Sequence, residues 1–344
     1  MQRNKERGVA LITALIITTI AVSLAAMVMY RQQIQIRLSS NIGHLEQAYL
    51  YVNGMEDWAG TILEKTYLKH NNYDSLKDDW YAGGKLITLP IDGGVMNGQI
   101  IDLQGRINLN SLLRPIPPKQ PPAKKGEPKK PQKPDIAKIT RVRLTELIKQ
   151  IDSTEDMGPP ENFAEIVKDW IDKDEINGNI KPGGEGSGSG AESPYYQSLE
   201  PAYYSANTPM VSPTEVRLLK NINKDIYKKL LPHISTLPIT LATPINLNTA
   251  DKVVLKSIGF DNDAISKLLE ERDKNPFESI KDATLTDLLG KLGGNFSKDD
   301  LDVKSNYFLL RGSVRINNAR VFINSVLERK NGKVSVIMRD FSNP

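Results

Sequence analysis

Apolar residues are distributed along this chain in three regimes. Residues 9–29 (VALITALIITTIAVSLAAMVM) carry no charge, and a run of about 21 such residues is long enough as a helix to cross a bilayer. Beyond it Ile34, Leu38, Ile42, Leu45, Tyr49, Val52, Ala59 and Ile62 recur at helical spacing, so the helix is predicted to continue to about Tyr67. Gly43, Gly54 and Gly60 weaken a coiled-coil stalk, and the upper half of the helix is expected to lie on a sheet. Short runs rich in β-branched residues predict a hairpin from 85–91 and 98–108 around a glycine-rich turn at 92–98. Three more strands are predicted at 306–316, 320–329 and 334–341, with turns at Asn317-Asn318 and Asn331-Gly332. Helical patterns fill the space between. The economical topology is α+β, one domain whose antiparallel sheet is interrupted by a large, mostly helical insertion. The expected division is 1–8, a leader; 9–29, the membrane part of the helix; 30–113, its outer part and the first strands; 114–135, a linker; 136–304, the insertion; and 305–344, the closing strands.

Composition changes this picture little. The 344 residues carry a net charge of +4, partly from a proline- and lysine-dense stretch at 114–135, which argues only weakly for an anionic partner. That stretch has no aromatic residue and reads as a solvated linker, with a polyproline ligand or an anion-binding arm as the alternative. The segment 182–194 reads as flexible loop; its Gly186-x-Gly188-x-x-Ala191 lacks the strand and βαβ unit of a dinucleotide site. There is no cysteine, and His44, His70 and His233 are scattered without an evident partner, so zinc sites and nucleophilic catalysis have no support. An enzyme is not expected.

The start of the chain admits two readings. Arg3, Lys5 and Arg7 precede the apolar run, so an uncleaved anchor would keep its N-terminus in the cytoplasm and export the rest. Gly8-Val9, however, stands at the boundary between basic leader and apolar run, which resembles the class III signal of type IV pilins and type II secretion pseudopilins. That resemblance implies cleavage after Gly8, N-methylation of Val9 and retention of the apolar helix. The fifth mature residue is then Thr13, where such proteins usually have glutamate to meet a neighbour's N-terminal amine.

Two further segments carry candidate chemistry. In KDWIDKDEINGN, residues 168–179, the groups Asp169, Asp172, Asp174, Glu175, Asn177 and Asn179 bring many oxygens to one helix end and turn, which suits a hard divalent cation. Solvated carboxylates are the plain alternative, and the spacing is not that of an EF-hand. In residues 243–282, Thr249 is the expected cap before two short helices joined at Gly259, with Leu255, Ile258, Phe260, Ala264, Ile265 and Leu268 inward. This resembles the helix-hairpin-helix module. Its turn is Gly259-Phe260-Asp261, and Asp261 and Asp263 put negative charge where a phosphate would sit, so a packing role is expected and no nucleic acid partner.

Taken together the chain resembles the minor pseudopilin K family of type II secretion. The resemblance rests on Arg7 to Ile12, Tyr30-Arg31-Gln32-Gln33, Asp169-Trp170-Ile171-Asp172-x-Asp174, Gly190-Ala191-Glu192, Tyr196, Tyr203-x-x-Ala206-Asn207, Glu215-Val216-Arg217 and Ile245 to Ala250. Family K lacks the fifth-residue glutamate, which makes Thr13 diagnostic. The resemblance implies a pilin-like core in the inner membrane, with its N-terminus cytoplasmic and its C-terminal domain periplasmic. It implies processing by prepilin peptidase and a place at the tip of the pseudopilus with the I and J minor pseudopilins, and contact with H and the major pseudopilin. It also implies calcium, one or two ions, on Asp172, Asp174, Glu192 and Asn207, with Asp169 and the Ile176 carbonyl as further candidates; Ser193 stands where the family often has aspartate. A membrane-anchored DNA-binding protein of the competence type, sharing the Asn-x-Asn-Thr-Ala opening, is the alternative function.

Overall fold

The computed structural model describes residues 3–115, 134–151, 161–175, 190–239, 243–292 and 300–342. The chain begins with one long helix, α1 (Arg3–Lys69), followed by the strands β1 (Ile87–Ile91) and β2 (Gly94–Asp102) and the short β3 (Ile107–Asn108). Next come α2 (Ile136–Ile151), α3 (Phe163–Ile171), α4 (Ser193–Gln197), α5 (Lys224–Leu230), β4 (Ile234–Ser235) and β5 (Ile245–Asn246). The helices α6 (Lys252–Ile258), α7 (Asn262–Lys274) and α8 (Ala283–Gly290) and the short β6 (Leu301–Asp302) complete the middle of the chain. The long strands β7 (Tyr307–Ile316), β8 (Ala319–Lys330) and β9 (Lys333–Asp340) close it.

The main sheet has five strands in the order β1-β2-β7-β8-β9, all antiparallel. β2 and β7 are far apart in sequence yet adjacent, from Gly94 opposite Ile316 to Asp102 opposite Phe308. α1 crosses this sheet with Ala48, Val52, Met55, Ala59 and Leu63, spaced three or four residues apart and buried against Phe308, Leu310, Val314, Ile323 and Leu327. Met55 sits over the cross-strand pair Gly98 and Gly312; a Cβ on Gly312 would lie 2.3 Å from its sulfur. The glycines thus lower the sheet surface where the helix docks. Glu56, buried beside Met55, receives Arg339 of β9 through Nε at 2.8 Å and Nη2 at 2.5 Å, and also Ser325 of β8. The lower part of α1 is bare. It holds the window of mean hydropathy 2.4 within Val9–Lys69, none of it buried, and is long and apolar enough to cross a membrane.

Contacts along and just beyond α1 show which way the sheet and the insertion face. His44 meets Asn317 in the β7–β8 turn, on the side of the apolar run. The far end of α1 leads to Asp74, whose N–H donates to the Val303 carbonyl, while Lys304 reaches the Asn71 carbonyl. The insertion leaves after β2 and returns before β7 at this same far end. It has its own core, in which α2, α3, α6 and α7 bury Leu144, Leu147, Phe163, Ile166, Val167, Leu255, Ile258 and Leu268.

Several expectations need correction. The hairpin turn is Asp92-Gly93 alone, and β2 starts at Gly94 instead of Gly98. Gly94 is a strand glycine because the Arg315 carbonyl approaches within 1.9 Å of where a Cβ would stand. β2 ends at Asp102; Ile107–Asn108 leaves the main sheet and pairs in parallel with Ile234–Ser235. The helical stripe is also shifted: Leu45 and Tyr49 stay 40% exposed while Ala48 and Met55 are covered. The linker read at 114–135 and the loop read at 182–194 fall largely outside the described residues.

Candidate metal centre

α3 is an amphipathic helix whose apolar face, Phe163, Ile166, Val167 and Trp170, holds it inside the insertion core. Burial of that face carries Asp169 inward with it, to complete burial, and the helix ends at Asp172, whose backbone is extended. Asp174 follows on the exposed stretch after the helix. From the other side comes Glu192, immediately before α4; its side chain does not cap that helix but turns toward α3. Carboxylate oxygens of Asp172, Asp174 and Glu192 lie within 4.8 Å of one another. Oxygens on opposite sides of one calcium ion stand about 5 Å apart, so this trio fits a single ion.

The electrostatics of the trio are unusual for a merely solvated turn. Glu192 is only 3% exposed, and both its carboxylate oxygens are buried with no hydrogen-bond partner among the described residues. Burial, then the neighbouring Asp169, Asp172, Glu175 and Asp174, push it up to about 8. Burial likewise raises Asp172, against the opposing effect of Lys168, whose ammonium lies 2.9 Å from its Oδ2. Asp169 packs against Gly190, where a Cβ would fall 1.6 Å from its Oδ2. Among the described residues this buried acid has no donor and stands among more acids, a setting that a bound cation would relieve. Hard oxygen donors at this spacing suit calcium, which tolerates irregular geometry.

Asn207 is near but differently employed. Its N–H donates to the Trp170 carbonyl at 2.9 Å, its Nδ2 donates to Glu175 Oε1 at 3.1 Å, and Ser205 donates to its Oδ1. Ser193 also donates to Glu175 Oε1. Glu175 therefore ties the end of α3 to both Ser193 and Asn207, a role its place in an acidic run did not single out. Ile176 lies outside the described residues. The aromatic residues of the family pattern pack on one another: Trp170 meets Tyr196 edge-on at 5.1 Å, and Tyr196 stacks on Tyr203 at 5.3 Å.

The Asn-x-Asn-Thr-Ala segment does other work. Asn246 Nδ2 donates to the Asp74 carbonyl, to Asp102 Oδ2 and to Ser305 Oγ, while Thr249 and Ser305 also donate to Asp102. Asp74 in turn pairs with Arg329 at 2.5 Å. Asn248 clasps Phe277 through both backbone groups. These buried polar residues rivet the insertion to the sheet. Thr249 is thus not the helix cap; Asp251 is, with its Oδ1 accepting from the Val254 N–H. The two helices after it pack as expected, with all six apolar residues buried and Gly259 left-handed at φ 107°. Asp261 caps α7 by accepting from the Ala264 N–H, so the amide end that a phosphate would use is already taken. Two histidines are less isolated than their scatter suggests: His70 lies 3.0 Å from Asp78 and His233 2.6 Å from Asp251. Gly8, Val9 and Thr13 all lie in α1, and the Thr13 hydroxyl donates to the Val9 and Ala10 carbonyls, 3.0 Å away in each case.

Comparison with known proteins fits this architecture. The family model for Type II secretion system (T2SS), protein K matches residues 105–239, which include the acidic trio. The Type II secretion system protein K of Pseudomonas aeruginosa is 32% identical over 98% of this chain and 93% of its own length. The chain belongs to the type II secretion system protein K family. The protein K of Pectobacterium carotovorum subsp. carotovorum is 28% identical, covering 98% of this chain and 97% of its own. Among solved structures, a chain of the GspK-GspI-GspJ complex from the enterotoxigenic Escherichia coli Type 2 Secretion System superposes with a TM-score of 0.67. It is 24% identical and covers 90% of this chain and all of that one. Protein K with a long apolar helix laid on an antiparallel sheet is a minor pseudopilin, a structural part of the secretion machine.

Proposed function

We propose that this minor pseudopilin stands at the tip of the type II secretion pseudopilus and starts or caps its assembly together with the I and J pseudopilins. Contacts with H and the major pseudopilin follow from a place at the head of the shaft. The observation that carries this reading is where the insertion sits. It emerges at the end of α1 remote from the apolar run, through Asp74, Asp102, Asn246 and Ser305, where a subunit stacked further out along the filament would collide with it. The Thr13 hydroxyl, spent within its own helix, offers no charge to another subunit's N-terminal amine. A solved complex with the same fold bears the name GspK-GspI-GspJ, which supports I and J as partners.

On this reading prepilin peptidase cuts after Gly8, Val9 becomes the mature start, the basic leader faces the cytoplasm and the insertion lies in the periplasm. Calcium held by Asp172, Asp174 and Glu192, with Glu175 and Asn207 bracing them, stiffens the insertion. N-terminal sequencing of the membrane-derived protein, paired with co-purification of tagged I and J, tests the whole. A mature N-terminus at Val9 and a ternary complex are expected. A retained leader, or recovery without I and J, would sink the proposal.

A further inference from the structure

Lys168 lies one helical turn before Asp172 on α3, and its ammonium makes an ion pair of 2.9 Å with Asp172 Oδ2. The contact is well shielded, with the lysine side chain 28% and the aspartate 11% exposed. Asp172 is one of the three acids whose oxygens converge, and among the described residues no lysine or arginine pairs with Glu192. The ammonium therefore holds a position beside the one a metal ion would need. An ion coordinated at about 2.4 Å by that same oxygen would lie no more than about 5 Å from the ammonium. In half-buried surroundings a dication and an ammonium at that separation repel strongly.

We infer that Lys168 is a tethered counter-cation that competes with calcium for Asp172, so that loading the site expels its ammonium toward solvent. The inference rests on the calcium reading above and adds to it a built-in threshold. With the ammonium in place the acid cluster is partly neutralised and the insertion can fold before calcium is met. With calcium in place the lysine is redundant. Its long flexible stem and partial exposure let it leave without disturbing the apolar face of α3.

Calcium titration of the full chain in detergent, by calorimetry and by thermal melts, separates the possibilities. The parent is compared with Lys168→Gln, Lys168→Met and Lys168→Arg. The two neutral variants are expected to bind calcium about tenfold more tightly than the parent, within the usual range of coupling between neighbouring sites, and to melt lower before calcium is added. Lys168→Arg, which keeps the charge, should stay within about twofold of the parent and shows that the fold tolerates change at this position. If the parent binds calcium and both neutral variants bind equally or more weakly, the competition is refuted and the calcium site stands. If neither parent nor neutral variants bind, the calcium reading itself fails and the competition falls with it. Binding by the neutral variants alone would support a lysine that blocks the site outright.

Discussion

A Cβ atom on Gly190 would stand 1.6 Å from the Oδ2 of Asp169. The two residues come from opposite sides of the acidic trio, and the missing side chain is what lets the segment before Glu192 close onto the end of α3. Gly190→Ala must push one of them away, at a cost of about 1–3 kcal/mol for an overpacked interior. The expected result is a lower melting temperature and a diminished response to calcium, read by thermal melts with and without the ion. A variant that melts and responds like the parent would show that the close approach is dispensable.

Glu192 supplies a pH dependence with a definite sign. Its folded value, about 8, lies above the ordinary glutamate range, so in the absence of calcium the protonated form is favoured by folding. Its stabilising effect is complete below pH about 4.5 and is lost as pH rises to about 8. Calcium demands the ionised form and reverses the trend. Calcium-free protein should therefore melt at lower temperature as pH rises through this window, and the rise produced by added calcium should grow over the same window. Glu192→Gln should flatten the first curve and abolish the second.

Asp172→Ala separates binding from charge relief. It removes a ligand together with the partner of Lys168, so melting with saturating calcium should match melting without it. A ligand selective for the folded state raises stability by mass action, about 2.7 kcal/mol at a hundredfold excess over Kd. Failure of both the parent and the neutral Lys168 variants to gain any stability from calcium would remove the site altogether.

The docking of α1 on the sheet makes a coupled prediction. Gly312→Ala places a methyl 2.3 Å from the Met55 sulfur and should destabilise by about 1–3 kcal/mol. Met55→Ala leaves a cavity and should cost about 2–5 kcal/mol. The double variant should cost less than the two single costs combined, since the small helix residue frees the space the new methyl needs. Chemical denaturation of the four proteins measures the coupling. Strict additivity would mean that the contact does not decide how the helix sits.

Much of this was legible in sequence because periodicity reports burial directly. The last three strands, the reach of α1 and the inward set from Leu255 to Leu268 followed from spacing alone. What spacing could not deliver were contacts that cross the chain. The glycines at 94 and 98 resemble turn residues, yet they serve strands that must accept a close neighbour. Thr249 has the chemistry of a cap but finds the buried Asp102, a partner far away in sequence. Asp172 and Asp174 were visible in their acidic run and Glu192 only through the family resemblance, but it takes the folded chain to show Glu192 without a donor among the described residues and Glu175 acting as a brace.

The adjacency of β2 and β7 has a consequence for how the molecule is made. Closing a loop of about 200 residues costs little more free energy than closing a short one, since the penalty grows only with the logarithm of length. Time is a different matter: the middle strand of the sheet is synthesised after the whole insertion. Until residues 307–316 arrive, β2 keeps an open edge and Met55 has only the Gly98 half of the floor beneath it. Such an edge invites proteolysis or pairing with the wrong chain. A finished sheet is thus a certificate of completeness, and only a subunit that already carries its head can present a well-folded stem.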